Sequence, residues 1–428
     1  MGVLSSLFTG VSGLAAQGEA LSVVGDNIAN ANTTGFKASR AEFQDIVARN
    51  LKGVLGGNQI GRGVHVGAVN PVLLQGNVDS TENATDLAIQ GDGYFVCRGS
   101  DGQSYTRDGS LHFDKEGYLV TNDNQRVQGF QAETDGRITS LMADIRLPKA
   151  ITAAHATKKL EVTANLDSRY TIGQAFNIEK PNETSQYSTG VEIYDSQGNK
   201  HLMTMHFVKT AERTWDWHGL CDGKEVSGGM EGKMSEVSSG RLTFTVDGKL
   251  DTQQETKSSY NFAGGAIPNQ KIDINFGDAI TTNKGKGVMG TVQYGKESDM
   301  LAWKQDGSSA GTIANLAFSD TGNLTAQYSN GEAKDIAQVV LARFDSAEHL
   351  FKVGSNRFKE SRDSGTPSIG SANMGGRGKI FSKSLERSTV DLALEFVNLI
   401  QNQRGFQANA KTITTTDELL AEVIQLKR

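Results

Sequence analysis

"VVGDNIANANTTGFKASR", residues 23–40, sets the reading of the whole chain. Three asparagines, two threonines and a glycine fall within Asn27–Gly35, directly after an apolar-periodic run that carries no Lys or Arg. Asn, Thr and Gly supply the side chains and backbone freedom that satisfy open carbonyls at a helix end. The stretch therefore reads as the end of a terminal helix and its junction to the body of the chain. Upstream, Leu7, Leu14, Leu21 and Ile28 recur every seven residues, and a second row begins with Leu4 and Val11 and continues as Gly18 and Gly25. This spacing predicts a helix whose seam is filled at first and then hollowed by glycine.

The other end of the chain answers in the same pattern. Ser388-Thr389-Val390-Asp391 fits a capping box, in which side chains satisfy free amides at a helix start. After it, Leu392, Leu399, Phe406, Ile413 and Leu420 are seven apart, with Phe396, Gln403, Ala410, Asp417 and Ile424 as a companion row. The β-branched run Thr412–Thr416 lowers helix propensity, so a weakening is expected there. Two heptad-patterned termini are expected to pair. Gly, Gln and Asp at core-type positions make an isolated pair poor, so neighbouring copies are expected to complete the packing.

Between about residue 60 and residue 380 the period changes to two, as in Met203/Met205/Phe207, Leu242/Phe244/Val246 and Ile272/Ile274/Phe276. Asp-Gly begins at 92, 101, 108, 135, 222, 247 and 306 and Asn-Gly at 330, which predicts type I′ hairpin turns. The expected fold is thus mainly β with α-helical termini: paired terminal helices, then discontinuous antiparallel β domains, the outer one inserted in the inner. Pro71, Pro148 and "TTNKGKGVMG" (281–290) mark expected edges. They give a terminal helical domain with linker (1–70 and 381–428), a β domain (71–150 and 288–380) and an inserted outer β domain (151–287).

Composition narrows the function. A chain of 428 residues with 37% hydrophobic content exceeds one ordinary core. A formal charge of −6 with interspersed signs gives no footprint for nucleic acid or an anionic membrane. The first 36 residues carry only Glu19 and Asp26 as charges, so the basic start of a signal peptide is missing. Ser, Thr, Gln and Gly interrupt the same stretch, and no membrane insertion is expected. Cys97 and Cys221 are too far apart in sequence to suggest a metal pair and read as isolated buried residues.

No catalytic constellation emerges. Gly61-Arg62-Gly63 with Gly67 lacks the dinucleotide fingerprint, "NKGKG" near 285 lacks phosphate-loop spacing, and the seven histidines are scattered. Trp215 and Trp217 share a strand face and read as sheet core. No enzyme activity, cofactor or metal is expected.

The opening stretch carries a resemblance. Ser12-Gly13-Leu14 followed by Asn27, Ile28, Ala29, Asn30, Ala31, Asn32, Thr33, Thr34, Gly35, Phe36 and Lys37 resembles the N-terminal signature of the bacterial flagellar rod and hook axial proteins. "VDLALEFVNLIQNQRGFQANAKTITTTDELL" (390–420) is similar to the matching terminal helix, and "DLAIQGDGYFV" (86–96) with "YTRDGSLHFDKEGYLV" (105–120) to the family's β region. The length and the large β insertion resemble the hook subunit most closely.

The resemblance implies a structural subunit that polymerises with itself into a curved, torque-transmitting tube. It implies partners in the distal rod, hook-filament junction and hook cap proteins, and passage through the flagellar type III export apparatus to the outside of the cell. The family's export element aligns with Leu7 and Val11, with Phe8 one place off. Subunit packing is expected at Leu7, Val11, Leu14, Leu21, Ile28, Leu392, Phe396, Leu399, Phe406, Ile413 and Leu420. A hinge is expected at Asn27, Ile28, Ala29, Asn30, Thr34, Gly35, Phe36 and Lys37.

Overall fold

Two helices, Gly2–Ala29 and Leu392–Gln425, bracket a chain otherwise built of strands. The computed structural model describes residues 2–46, 49–50, 59–133, 136–148 and 151–425. Asp135 of the expected turns and the domain edge at 149–150 lie outside the described residues.

The first helix ends as its sequence demands. Asn30 Nδ2 donates to the Asp26 carbonyl at 2.9 Å, and Gly35 takes a φ of +67° that lets the chain turn back. The second helix starts three residues later than the capping box suggests. Asp391 Oδ1 accepts from the amides of Ala393 (2.9 Å) and Leu394 (3.2 Å), so Asp391 is the cap, whereas Ser388 Oγ bonds only the Val390 amide. The expected weakening at Thr412–Thr416 does not occur. The hydroxyls of Thr412, Thr415 and Thr416 donate back to carbonyls four residues earlier, and the helix runs through.

The chain divides into two compact units, Met1–Pro148 with Asn315–Gln327 and Ala333–Arg428, and Lys149–Ala314 with Tyr328–Glu332. This corrects two expected edges. The terminal helices and the inner β region form one unit, and the inserted unit extends past 287. Its continuation is physical: strand Asp299–Gln305 pairs antiparallel with Lys159–Asn165, which also pairs in parallel with Asp273–Asn275. Residues 281–290 are no linker either, since Gly277 bridges Gly290 and the Thr291 amide donates to the Phe276 carbonyl.

In the first unit, strand Ala333–Arg343 is central. It pairs antiparallel with Arg126–Ala132, Tyr94–Gly99, Asn323–Tyr328 and Ser368–Ser371. Phe95, Cys97, Val339 and Leu341 face one apolar layer, and Tyr94, Val96, Val340 and Ala342 face another. Both faces are covered, so "YFVC" and "VVLA" read as apolar runs without alternation.

The inserted unit is a five-strand antiparallel meander, Tyr187–Tyr194, Lys200–Ala211, Thr214–Asp222, Met234–Phe244 and Leu250–Ser258, with neighbours in chain order. One face buries Met203, Met205, Phe207, Trp215, Trp217, Leu242 and Phe244 against Leu160, Tyr260 and Phe276. The Trp pair is core. Val246, expected to continue the alternation, is exposed because the strand has ended at Phe244.

The turns differ from expectation. None of the described Asp-Gly aspartates, nor Asn330, has a positive φ, as a type I′ turn requires. Gly248 and Gly331 of those dipeptides (φ +76° and +84°) each donate to the carbonyl three residues back, closing a three-residue turn with a bulge, as Gly117, Gly198 and Gly322 do outside them, whereas Gly109, Gly223 and Gly307 have no positive φ. The first residue often clamps it: Asp195 Oδ1 accepts from the Gln197 and Asn199 amides, both at 2.8 Å. A two-residue turn of the I′ kind does occur at Ser355-Asn356 (φ +51°, +52°), joining Phe351–Gly354 to Arg357–Lys359.

Candidate assembly interface

The terminal helices lie antiparallel. A Cβ on Gly10 would sit 3.0 Å from Ile413, one on Gly13 2.7 Å from Asn409, and one on Gly405 3.0 Å from Gln17. Asn27 Nδ2 donates to Glu395 Oε1 at 3.2 Å further along. Gly10, Gly13, Gln17, Ala20, Val24 and Asn27 recur at alternating three and four residues, the spacing of an inner seam. All but Gln17 are buried. The seam is therefore small and polar where two leucine rows were expected to meet.

The apolar rows flank it or face outward. Leu7, Leu14, Leu21, Ile28, Leu399, Ile413 and Leu420 are half-buried. Val11, Leu392, Phe396 and Phe406 are exposed, as are Phe8, Leu394, Val397 and Ile400. Gly18 and Gly25 have nothing within 4 Å of a built Cβ. Within the seam, Gln17 Oε1 and Glu395 Oε2 are buried without a hydrogen-bond partner. Each such orphan costs roughly 1–3 kcal/mol.

By length and apolar composition, residues Ser5–Ala29 reach the level of a bilayer-crossing helix, which corrects the expectation that their interruptions exclude it. Ala16, Ala20 and Val24 of that helix are buried inside the protein.

At the base of the helices the "NIANANTTGFK" stretch is held from both sides. Asn27 exchanges hydrogen bonds with Ser39, donating to its carbonyl (2.7 Å) and accepting from its amide (2.8 Å). Thr34 Oγ1 donates to Asp108 at 2.8 Å, and the Gly35 amide donates to the Glu386 carbonyl at 2.8 Å. A Cβ on Gly35 would strike the Arg107 carbonyl carbon at 2.7 Å, so space as well as φ calls for glycine. Phe36 is buried, with Lys352 Nζ 5.7 Å from its ring centre. Ala29 is exposed.

Lys37 ends the stretch in a buried ion cluster. Its Nζ donates to Glu386 Oε1 at 2.7 Å, and Arg107 Nε donates to Glu386 Oε2 at 3.0 Å. Gln75 Nε2 (2.8 Å) and the Gly76 amide (2.9 Å) complete the carboxylate's shell, while Arg107 Nη1 donates to the Gly91 and Gly93 carbonyls. Burial pushes the Glu386 carboxyl up, but Arg107, Lys37 and the Gly76 amide more than reverse it and hold it below the usual glutamate range. Burial pulls Lys37 down, Glu386 opposes this only in part, and the Arg107 charge adds to it. Two cations share one carboxylate. The anion is over-compensated and the lysine under-compensated.

The amino-acid sequence by itself assigns no role to Arg107, Glu386, Gln75 or Ser39. No local signal marks them, since Lys37 and Glu386 are 349 positions apart.

Among the described residues no group of three or more His, Cys, Asp or Glu could hold a metal ion. Cys97 and Cys221 are free and buried, and burial pushes both thiols up to about 12, leaving them protonated.

A helix pair at the chain ends, a clasped motif at its base and β units strung between them define an axial protein of the flagellar rod and hook class. Family models agree along the chain: "Flagella basal body rod protein" matches residues 7–37, "Flagellar hook protein FlgE/F/G D1 domain" 88–165, "Flagellar basal body protein FlaE D2 domain" 165–308 and "Flagellar basal body rod FlgEFG protein C-terminal" 382–426. The chain is 31% identical to the flagellar hook protein FlgE of Treponema pallidum over the whole of both chains. It is 32% identical to that of Borreliella burgdorferi, over 99% of this chain and all of the other. The Escherichia coli hook protein is 29% identical over 97% of this chain and 98% of its own. The crystal structure of Helicobacter pylori flagellar hook protein FlgE2 superposes with a TM-score of 0.52 at 15% identity, covering 72% of this chain and all of that one, which speaks for the fold. The chain belongs to the flagellar hook protein family, a structural family.

Proposed function

We propose that the chain is the subunit of a curved, flexible hook tube that passes motor torque to the filament. One observation carries the proposal. The terminal helix pair buries Gly, Ala and Asn against itself and leaves Leu392, Phe396, Val397, Ile400 and Phe406 in solvent. Apolar stripes of this kind on a helix need a cover, and further copies of the same helices supply it.

The pair alone has a seam with two orphaned polar atoms and little apolar area. It is therefore marginal in the free subunit, and assembly supplies the remaining ordering free energy. The stretch expected as a hinge, Asn27–Lys37, acts instead as a clamped junction between these helices and the β body, held by Lys37, Arg107 and Glu386, and the outer β units make the weak, sliding contacts that a bending tube requires. Distal rod, hook-filament junction and hook cap proteins are the neighbours this role implies. Export through the type III apparatus, an extracellular location and the absence of catalysis belong to the same proposal, with Leu7, Phe8 and Val11 as the export element.

Electron microscopy of polymerised, purified full-length chain tests it. Curved tubes are expected. Straight rigid rods would favour a distal-rod or junction role, and a chain that stays monomeric at high concentration refutes the assembly.

A further inference from the structure

The outward face of the C-terminal helix carries charges as well as apolar groups, in blocks. Along the side opposite Glu395, Asn402 and Asn409, Phe396, Val397 and Ile400 are succeeded by Arg404 and Lys411 and then by Glu418 and Glu422, all exposed. None of the four charges has a partner among the described residues of its own chain. Arg404 and Lys411 have Ile, Gln, Ala or Thr three and four residues away, and Glu418 and Glu422 are a like-charged pair four apart, which weakens the isolated helix. The pattern opposes the stability of its own helix. It suits a neighbour.

We propose that this ladder sets the axial register between adjacent copies of the C-terminal helix, with Arg404 and Lys411 of one copy against Glu418 and Glu422 of the next. The proposal rests on the assembly reading and adds to it a specific face and a specific stagger. Two parallel helices in exact register would place Arg404 beside Arg404, Lys411 beside Lys411 and each glutamate beside its twin. Every contact would be repulsive.

Sliding one copy by 11 to 14 residues, about 16–21 Å along a helix rising 1.5 Å per residue, brings the basic block beside the acidic block. The apolar residues supply most of the attraction without fixing position, and the charges choose the position, as polar and charged groups do when they specify coiled-coil register.

Charge reversal in the full-length chain tests this. The Arg404→Glu/Lys411→Glu variant makes the whole face acidic, and the Glu418→Lys/Glu422→Lys variant makes it basic. Each is expected to raise the critical concentration for polymerisation roughly tenfold at low salt, an effect that shrinks in molar salt. The fourfold variant carrying all the reversals inverts the ladder and is expected to polymerise close to the unaltered chain. Its helical reconstruction should keep the same stagger between neighbouring C-terminal helices. Double variants that assemble normally at low salt, or a fourfold variant no better than the doubles, overturn the register. Unaltered chain that forms no tube overturns the assembly reading instead. Equal thermal melting of the β units in all variants shows that folding is not what changed.

Discussion

In the inserted β unit Phe207, Trp215, Trp217, Tyr260 and Phe276 are all buried, whereas in the terminal helices Phe8, Phe396 and Phe406 face solvent and the buried positions are Gly, Ala, Val, Asn, Glu395 and Thr416. A buried large apolar side chain contributes about 1.5–3 kcal/mol. The β unit therefore holds its own core, and the helix pair keeps its equivalent groups for contacts outside the chain. Secondary structure alone does not reveal this difference. Both regions are regular and continuous, but only one is complete.

The comparison breaks first at the helices. Truncation after Val390 is expected to abolish tube formation outright while both β units still melt cooperatively, as monitored by circular dichroism and microscopy. A cut before Glu386 is a poorer test, because it also removes the carboxylate between Lys37 and Arg107. In the β unit, Trp217→Ala should cost about 3–5 kcal/mol by chemical denaturation of that unit. At the junction, Glu386→Gln leaves two buried cations sharing no anion, and a loss of about 3–5 kcal/mol is expected in the first unit only.

Acid should act on the same cluster. The Glu386 carboxyl lies below its usual range in the folded chain, so its stabilisation is present above the ordinary glutamate value and is lost as pH falls through the lowered one. The melting temperature of the first unit should fall there in the natural chain and fall less in Glu386→Gln. Smallest of all should be the effect of Phe396→Ala on the free subunit, within about 0.5 kcal/mol. The same change should sharply weaken polymerisation, which separates an outward-facing phenylalanine from a core one.

Much of this architecture is legible in the sequence, and the departures share a cause. Heptad spacing marks both helices and the Asn-rich stretch the end of the first, because helix periodicity and carbonyl-capping chemistry are local. Within the chain the leucine rows flank the seam rather than fill it, although apolar residues normally fill one. Here the seam is the row of Gly10, Gly13, Gln17, Ala20, Val24 and Asn27, whose three-four spacing is visible but whose small and polar side chains give no apolar signal.

Turn type departs from expectation for a similar reason. Asp-Gly announces a turn, yet at Asp247-Gly248 the positive φ falls on the glycine alone, after a type I bend and a bulge, and at Gly109, Gly223 and Gly307 there is none. The Lys37–Arg107–Glu386 cluster is beyond the reach of sequence altogether, since each residue is an ordinary surface type until the fold brings it together and removes it from water.

Hydrogen exchange on the full-length chain, in dilute solution and after polymerisation, tests the contrast most directly. Amides of residues 5–29 and 392–425 are expected to exchange far faster than those of strands Ala333–Arg343 and Lys200–Ala211 in the free subunit, and to become protected in the tube. Terminal helices already as protected in dilute solution as the β strands, with no gain on polymerisation, would contradict the account.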